Sequence, residues 1–261
     1  MAGTPLYRKI ADQLRRMIES GELQGGTQVP TEDQLMESYH ASRNTVRGAL
    51  KELVTRGLVD KQHGKGTFVA ERVRPIVITL TSAETGRGGG EGRVYTTEVA
   101  ASGRYPVIKA PEVRLMEAGP AIARSLQIAE GTEVIVRHQD SYVDGLPWSR
   151  QTSYYPRSLQ VRASRLFYTG NIEEGVVAYL AKLGIEQTGY QDAIEWRGPD
   201  EIETAYFDLP ADGHIQVVEI RRVAFDQSQN HVRLTVTVCR ADRNRFVINV
   251  GKVPQRVTGQ A

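Results

Sequence analysis

Residues 30–69 read PTEDQLMESYHASRNTVRGALKELVTRGLVDKQHGKGTFV. Thr31, followed three residues later by Gln34, makes a capping-box pattern, so a short helix starts there with Leu35 and Met36 as its apolar face. The chain turns at Tyr39-His40-Ala41. Ser42 then caps a second helix over 43–56, in which Val46, Leu50, Leu53 and Val54 face a core and Gly57 marks the stop. Leu58-Val59 and Thr67-Phe68-Val69 read as short strands joined through Lys61-Gln62-His63-Gly64-Lys65-Gly66, whose glycines permit a tight hairpin tip. Helix, turn, helix and basic hairpin, in that order, describe a helix-turn-helix with a wing. That arrangement presents a few side chains to the base edges of DNA.

Upstream, Leu6, Ile10, Leu14, Met17 and Ile18 recur at helical spacing and predict an amphipathic helix over 5–20, with Pro5 near its start and Gly21 at its end. Arg43, Asn44, Thr45 and Arg47 crowd the first turn or so of the helix over 43–56, where most of them face solvent. A polar helix end is the ordinary explanation of one such arginine. Here two arginines bracket Asn44 and Thr45 on a helix preceded by another short helix. The arginine fork suits guanine O6/N7 or phosphate oxygens, and asparagine suits adenine or phosphate. Lys61 and Lys65 stand where a wing meets phosphates, although a Lys-Gly turn alone also describes a plain surface hairpin. The glycines lack the Walker spacing and the following Gly-Lys-Ser/Thr, which excludes a nucleotide phosphate loop.

Residues 5–69 resemble the N-terminal winged helix-turn-helix of the GntR family of bacterial transcription regulators. The strings that carry the likeness are PLYRKIADQLRRMIESGEL, VPTEDQL, SRNTVRGALKELVTRGLV and QHGKGTFV. The resemblance implies that Arg43 and Arg47 make the principal DNA contacts, aided by Ser42, Asn44 and Thr45. Thr31 and Glu32 then sit where the second helix meets the DNA backbone. Gly64 and its wing neighbours Lys61, His63 and Lys65 approach the minor groove. Two positions depart from the family pattern. Asp33 stands where some relatives have a DNA-reading arginine, and His40-Ala41 replaces a frequent Gly-Val.

The chain of 261 residues is long enough for two ordinary domains, and its 40% apolar content is enough for packed cores. A formal net charge of +2 is too mild to signal nucleic-acid binding by itself. With Cys239 as the single cysteine, an intrachain disulfide and a cysteine-based zinc site are both excluded. No run approaches 18 apolar residues and no secretory leader opens the sequence, so a soluble, cytoplasmic protein with no membrane contact is expected.

After an Arg72-Val73-Arg74-Pro75 connection, residues 76–80 alternate as a strand. The stretch SAETGRGGGEGRVY (82–95), with five glycines between Gly86 and Gly92, reads as a loop. A short helix over 120–126, a hairpin of 134–143 with 148–154 turning at Asp144-Gly145, and an amphipathic helix over 172–183 follow. Strands at 189–196, 216–225, 232–239 and 246–250, with a short helix at 201–207, complete an α+β domain on an antiparallel sheet. PAIARSLQIAEGTEVIVRHQDSYVDGLP echoes IETAYFDLPADGHIQVVEIRRVAFDQSQN, which suggests two related halves around a pocket.

Over residues 76–250 the chain is similar to the UTRA effector-binding domain of the HutC subfamily, whose fold is like that of chorismate lyase. The strings LQIAEGTEVIVRHQDSYVDGLPWSRQTSYYP, EIETAYFDLPADGHIQVVEIRRVAFDQ and VCRADRNRF carry it. The resemblance implies a cavity between sheet and loops lined by Arg137, Gln151, Ser153, Tyr155 and Arg222, with Thr79, Thr81 and Ser82 cradling an anionic group. A carboxylate- or phosphate-bearing effector would suit the arginines. The same arginines also read as surface residues paired with Glu219 and Glu195, and Gln151 stands where many UTRA domains have a glutamate.

No HExxH or GxSxG string organises catalysis, and no cofactor is expected. The sequence therefore leads us to expect a winged head over 1–70, a linker at 71–75, an effector-binding and dimerisation domain over 76–250, and a tail at 251–261. A homodimer would bind double-stranded DNA at an inverted-repeat operator, most simply as a repressor, under control of a small effector. The alternative is a dimeric regulator whose second domain serves only dimerisation or protein contacts.

Overall fold

The computed structural model describes residues 5–62, 64–70, 75–80, 92–209 and 215–248, with backbone alone for 92–94. The chain divides into two compact units, residues 1–74 with 208–215 and residues 75–207 with 216–261.

In the first unit α1 (Leu6–Glu19) buries Ile10, Ala11, Leu14 and Ile18 against α3 (Arg43–Thr55), which contributes Val46, Ala49, Leu50 and Leu53. Fully burying one such leucine stabilises the fold by roughly 1.5–3 kcal/mol. Leu6, expected on the same stripe, lies a turn short of this core and stays exposed. The capping box opens α2 (Glu32–Tyr39): the Gln34 N–H donates to Thr31 Oγ1 at 3.3 Å, and the Thr31 N–H donates to Gln34 Oε1 at 2.9 Å. The helix ends at His40, whose φ of 47° puts a non-glycine residue in the left-handed region. Ser42 caps α3 by accepting the Thr45 N–H at 3.2 Å.

The wing pairs β1 (Val59–Gln62) with β2 (Gly66–Val69), in register from Val59↔Val69 to Gln62↔Gly66. A third segment joins β2: the Val29 N–H donates to Thr67 O and the Val69 N–H to Thr27 O, both at 2.8 Å.

The second unit runs β3 (Ile76–Thr79), α4 (Gly92–Ala101), β4 (Pro106–Ile108), β5 (Glu112–Glu117), α5 (Pro120–Leu126), β6 (Glu133–Val143) and β7 (Leu146–Pro156). After two 3₁₀ turns come α6 (Val176–Lys182), β8 (Gln187–Arg197), α7 (Glu201–Tyr206), β9 (Val217–Asp226), β10 (His231–Arg240) and β11 (Asn244–Val247). The main sheet is antiparallel, in the order β4-β6-β7-β10-β9-β8, with β5 also paired to β6. The internal echo has a physical form. Each half is strand, helix, hairpin (β5-α5-β6-β7 and β8-α7-β9-β10), and β7 meets β10 at the sheet's centre. Each helix also reaches across to the other half. His231 at the start of β10 donates from Nδ1 to the Ser125 carbonyl in α5 at 2.8 Å, and Tyr206 of α7 donates to the carbonyls of Ser141 and Ser149.

Several sequence expectations need correction. Of the loop read over 82–95, residues 82–91 lie outside the described residues, and 92–95 belong to α4, which starts at Gly92 and carries Tyr95 and Val99, four residues apart, into the core. Strands β4 and β5 were not foreseen. The helix expected from 172 starts at Val176, since Gly175 has φ 82° and cannot belong to a right-handed helix. The closing strand at 246–250 is instead Asn244–Val247, and it pairs parallel with β3 outside the main antiparallel sheet.

Candidate nucleic-acid interface and ligand cavity

The N-terminal turn of α3 leaves Ser42, Arg43, Asn44 and Arg47 exposed and Thr45 half-buried. Helix α2 docks its first turn beside them through two ion pairs. Arg43 Nη2 lies 2.8 Å from Asp33 Oδ1, and Arg47 Nε lies 2.9 Å and 3.2 Å from the two oxygens of Glu32. Thr31, Glu32, Ser42, Arg43, Asn44, Thr45 and Arg47 thus belong to one surface built from two helix N-termini. The free N–H groups and positive dipole ends found there favour phosphate oxygens. Exposed ion pairs of this kind contribute little to stability, about 0–1 kcal/mol each. What they do is hold two long arginines in defined positions, an effect that sequence reading missed because the partners are ten and fifteen residues apart.

At the wing tip Lys61, Gly64 and Lys65 are exposed, and His63 lies outside the described residues. Gln28 braces the tip by donating from Nε2 to the Lys65 carbonyl at 3.2 Å. Gly66, at φ 123°, lies so close that a Cβ there would meet Gln28 Nε2 at 2.4 Å.

The second unit holds a cavity of about 580 Å³. Successive side chains of a strand point to opposite faces, and the register stacks inward residues into rungs. One rung runs Arg137, Ser153, Thr235, Arg222 and Asp192 across β6, β7, β10, β9 and β8. The next runs Gln139, Gln151 and Thr237. The floor is therefore polar, while Ile78, Leu80, Tyr95, Ile172 and Val176 supply apolar walls. Gln151 Nε2 donates to Thr237 Oγ1 at 3.3 Å, and the Ser153 and Thr235 hydroxyls are 2.9 Å apart.

The two predicted arginines are buried, and neither pairs with Glu219 or Glu195. Arg222 makes a bidentate pair with Asp192, both bonds 2.7 Å, and stacks over the Tyr190 ring at 4.1 Å. Its charge is thus already matched by a carboxylate. Arg137 is tied to carbonyls alone: Nη1 donates to Leu166 and Tyr168 and Nη2 to Gly170. Its Nε is buried with no acceptor, as is Nε2 of Gln187, another lining residue. Burial lowers the Arg137 pKa, partly offset by Tyr155, but a guanidinium remains protonated. The cavity wall accordingly carries, in Arg137, a buried cation held by carbonyls, together with spare buried donors; a second buried arginine of the lining, Arg233, donates from Nη2 to Gln187 Oε1 at 3.2 Å.

Of the effector residues read from sequence, Arg137, Gln151, Ser153, Tyr155 and Arg222 line this one cavity. Thr79 does not line it, and its N–H donates to the Glu98 carboxylate at 3.3 Å, so an anion is already on that amide. Burial pushes the Glu98 carboxyl above its ordinary value. Thr81 and Ser82 lie outside the described residues. Sequence reading missed Gln139, Gln187 and Thr237. Their signal was the alternation of Ser149, Gln151 and Ser153 on a strand that otherwise packs like core.

Among the described residues, no cluster of His, Cys, Asp and Glu is placed to hold a metal, and no helix is long and apolar enough to cross a membrane.

A winged helix-turn-helix joined to a domain with a polar-floored cavity defines a DNA-binding transcription regulator with a ligand-binding module. Residues 6–69 match the family described as bacterial regulatory proteins, gntR family, and residues 101–245 match the UTRA domain. The chain belongs to the GntR family and has the UTRA-bearing architecture of its HutC subfamily. It is 27% identical over 244 residues to the HTH-type transcriptional regulator GgaR of Escherichia coli K12, covering 94% of this chain and 90% of that protein. Over 83 residues it is 45% identical to the mannosyl-D-glycerate transport/metabolism system repressor MngR of the same strain, covering 31% and 35% of the two chains. The crystal structure of PhnF from Mycobacterium smegmatis aligns with a TM-score of 0.56 at 25% identity, over 92% of this chain and 98% of that one. The protein is a regulator of transcription and not an enzyme.

Proposed function

We propose that the protein is a cytoplasmic, homodimeric repressor that binds an inverted-repeat operator through Thr31, Glu32, Ser42–Thr45 and Arg47, with Lys61, His63, Gly64 and Lys65 of each wing in the minor groove. Residues 1–70 form the head and 71–75 the linker. Residues 76–250 form the effector and dimerisation domain, and 251–261 a tail. Two heads related by a two-fold axis match the symmetry of a palindromic site, which one head alone would hold weakly. The effector is a small molecule with an anionic or strongly accepting group for Arg137 and hydroxyl or amide groups for the Gln139-Gln151-Thr237 rung. Arg222, matched by Asp192, shapes the floor and leaves the charge selection to Arg137.

The observation that carries this reading is the pairing of an exposed two-arginine helix N-terminus with a cavity in which the buried Arg137 is held by carbonyls and not by a carboxylate. Ligand binding that favours a state with mismatched heads lowers DNA affinity by the same factor by which DNA lowers ligand affinity. Footprinting on the selected operator, with the mass of the complex measured by analytical ultracentrifugation, tests the dimer. The expected result is a two-fold-symmetric footprint with two chains per site. An unsymmetrical footprint holding one chain contradicts it.

A further inference from the structure

The two acid–arginine pairs on the α2/α3 surface differ in a way that assigns them different work. Glu32 offers both carboxylate oxygens to Arg47 Nε, at 2.9 Å and 3.2 Å, and its side chain is only 26% exposed. It is a brace. Asp33 gives one oxygen, Oδ1, to Arg43 and its side chain is 80% exposed, which leaves Oδ2 able to accept from another partner. Arg43 in turn spends one of its N–H donors on Asp33 and keeps the others for a base edge.

A carboxylate on a DNA-facing surface is repelled by every phosphate, and an exposed ion pair offers almost no stability in return. Positioning Arg43 occupies only one of the Asp33 oxygens, and the other is open to accept from a base. In the major groove cytosine shows a lone amino donor. Adenine sets its amino group beside the N7 acceptor, which repels a carboxylate, while guanine and thymine offer acceptors and no donor. We propose that Asp33 is a specificity-determining residue that reads DNA as a unit with Arg43. Arg43 takes the guanine edge, and Asp33 accepts from a cytosine amino group in the same or the neighbouring base pair. This rests on the reading of α3 as the recognition helix. It goes beyond that reading because it gives the acidic residue a base of its own.

The test uses the full-length protein and a pool of randomised duplexes. The sequences it selects give a base-preference matrix, and affinities are then measured on every single-base variant of the selected half-site. Wild type, Asp33→Ala, Asp33→Asn and Arg43→Ala are compared. In Asp33→Ala, discrimination for cytosine at one position per half-site should fall by about tenfold while preferences away from the Arg43 guanine hold, about what one base contact supplies. Asp33→Asn should shift that position toward adenine, whose paired donor and acceptor an amide can match. If Asp33→Ala instead changes affinity for all sequences by one common factor and leaves the matrix intact, Asp33 is a diffuse charge and the proposal falls. Arg43→Ala separates that failure from failure of the underlying reading. Loss of the consensus in Arg43→Ala beside an unchanged matrix in Asp33→Ala overturns only the role of Asp33. An Arg43→Ala protein that still selects the wild-type sequence overturns both.

Discussion

Arg43 and Arg47 in the head have side chains 54% and 57% exposed and lean on acids of the preceding helix, whereas Arg222 in the cavity floor has a side chain 4% exposed and is clamped by Asp192. The same residue type serves opposite ends in the two units. On the surface, water screens the ion pair, so breaking it is cheap and the remaining guanidinium donors stay open to DNA. Inside, the desolvated pair cannot open without stranding a charge. Arg137 is intermediate, buried like Arg222 but held only by carbonyls, and that leaves it a cavity arginine with charge to offer a ligand. The comparison shows that exposure and partner type, more than residue identity, separate an arginine that reads from one that builds.

The comparison breaks most visibly at Arg222. Replacing it with alanine takes this partner from Asp192, whose side chain is 13% exposed, so the effector domain should lose about 3 kcal/mol of stability in urea unfolding, the low end for breaking a buried pair. A near-neutral Arg222→Ala would mean that this arginine is reserved for ligand. Cys239 offers an independent readout. Burial pushes its thiol up to about 12, so at pH 8.5 it stays protonated and reacts slowly with alkylating agents in the folded domain. Alkylation should therefore be slow in the wild type and distinctly faster in Arg222→Ala.

Next in size is Arg43→Ala. Specific operator affinity should drop by about a hundredfold, the upper range for one bidentate base contact. Its unfolding free energy should stay within about 0.5 kcal/mol of wild type, as for surface substitutions generally. A smaller effect comes from Thr31→Ala, which removes the α2 capping box and should cost about 1 kcal/mol of head stability, with weaker DNA binding as the brace beneath Glu32 and Asp33 frays. Smallest, His40→Gly relieves a left-handed residue between α2 and α3 and should stabilise the head by up to about 1 kcal/mol in thermal unfolding. A destabilised His40→Gly would mean that the imidazole makes a contact that outweighs its backbone strain.

How much was legible in the sequence follows from the range of the forces involved. In the head, caps and helical periodicity act within four residues, and α1, α2, α3 and both wing strands came out within a few residues of their observed bounds. The ion pairs Arg43–Asp33 and Arg47–Glu32 were not legible, because nothing local says which faces of α2 and α3 meet. In the effector domain the long hairpin strands β6, β7, β9 and β10 carried alternating patterns, and the echo between halves anticipated the sheet's pseudo-symmetry. The start of α4 was hidden by the glycines before it, and β5 by its mostly exposed side chains, which give no inward stripe. The cavity floor was half legible. Arg137, Gln151, Ser153, Tyr155 and Arg222 were found, but the register that stacks them with Gln139, Thr237 and Asp192 is set by strand pairing across the whole domain.

The most direct test of the account is a fluorescence-anisotropy titration of the full-length protein against the DNA upstream of its own gene, with and without a panel of small anionic metabolites. The same titration with Arg137→Ala completes it. The account predicts sequence-specific binding released by one metabolite, and release lost or strongly weakened in Arg137→Ala while operator binding without ligand is kept. Specific binding that no metabolite alters, or release that survives unchanged in Arg137→Ala, would contradict it.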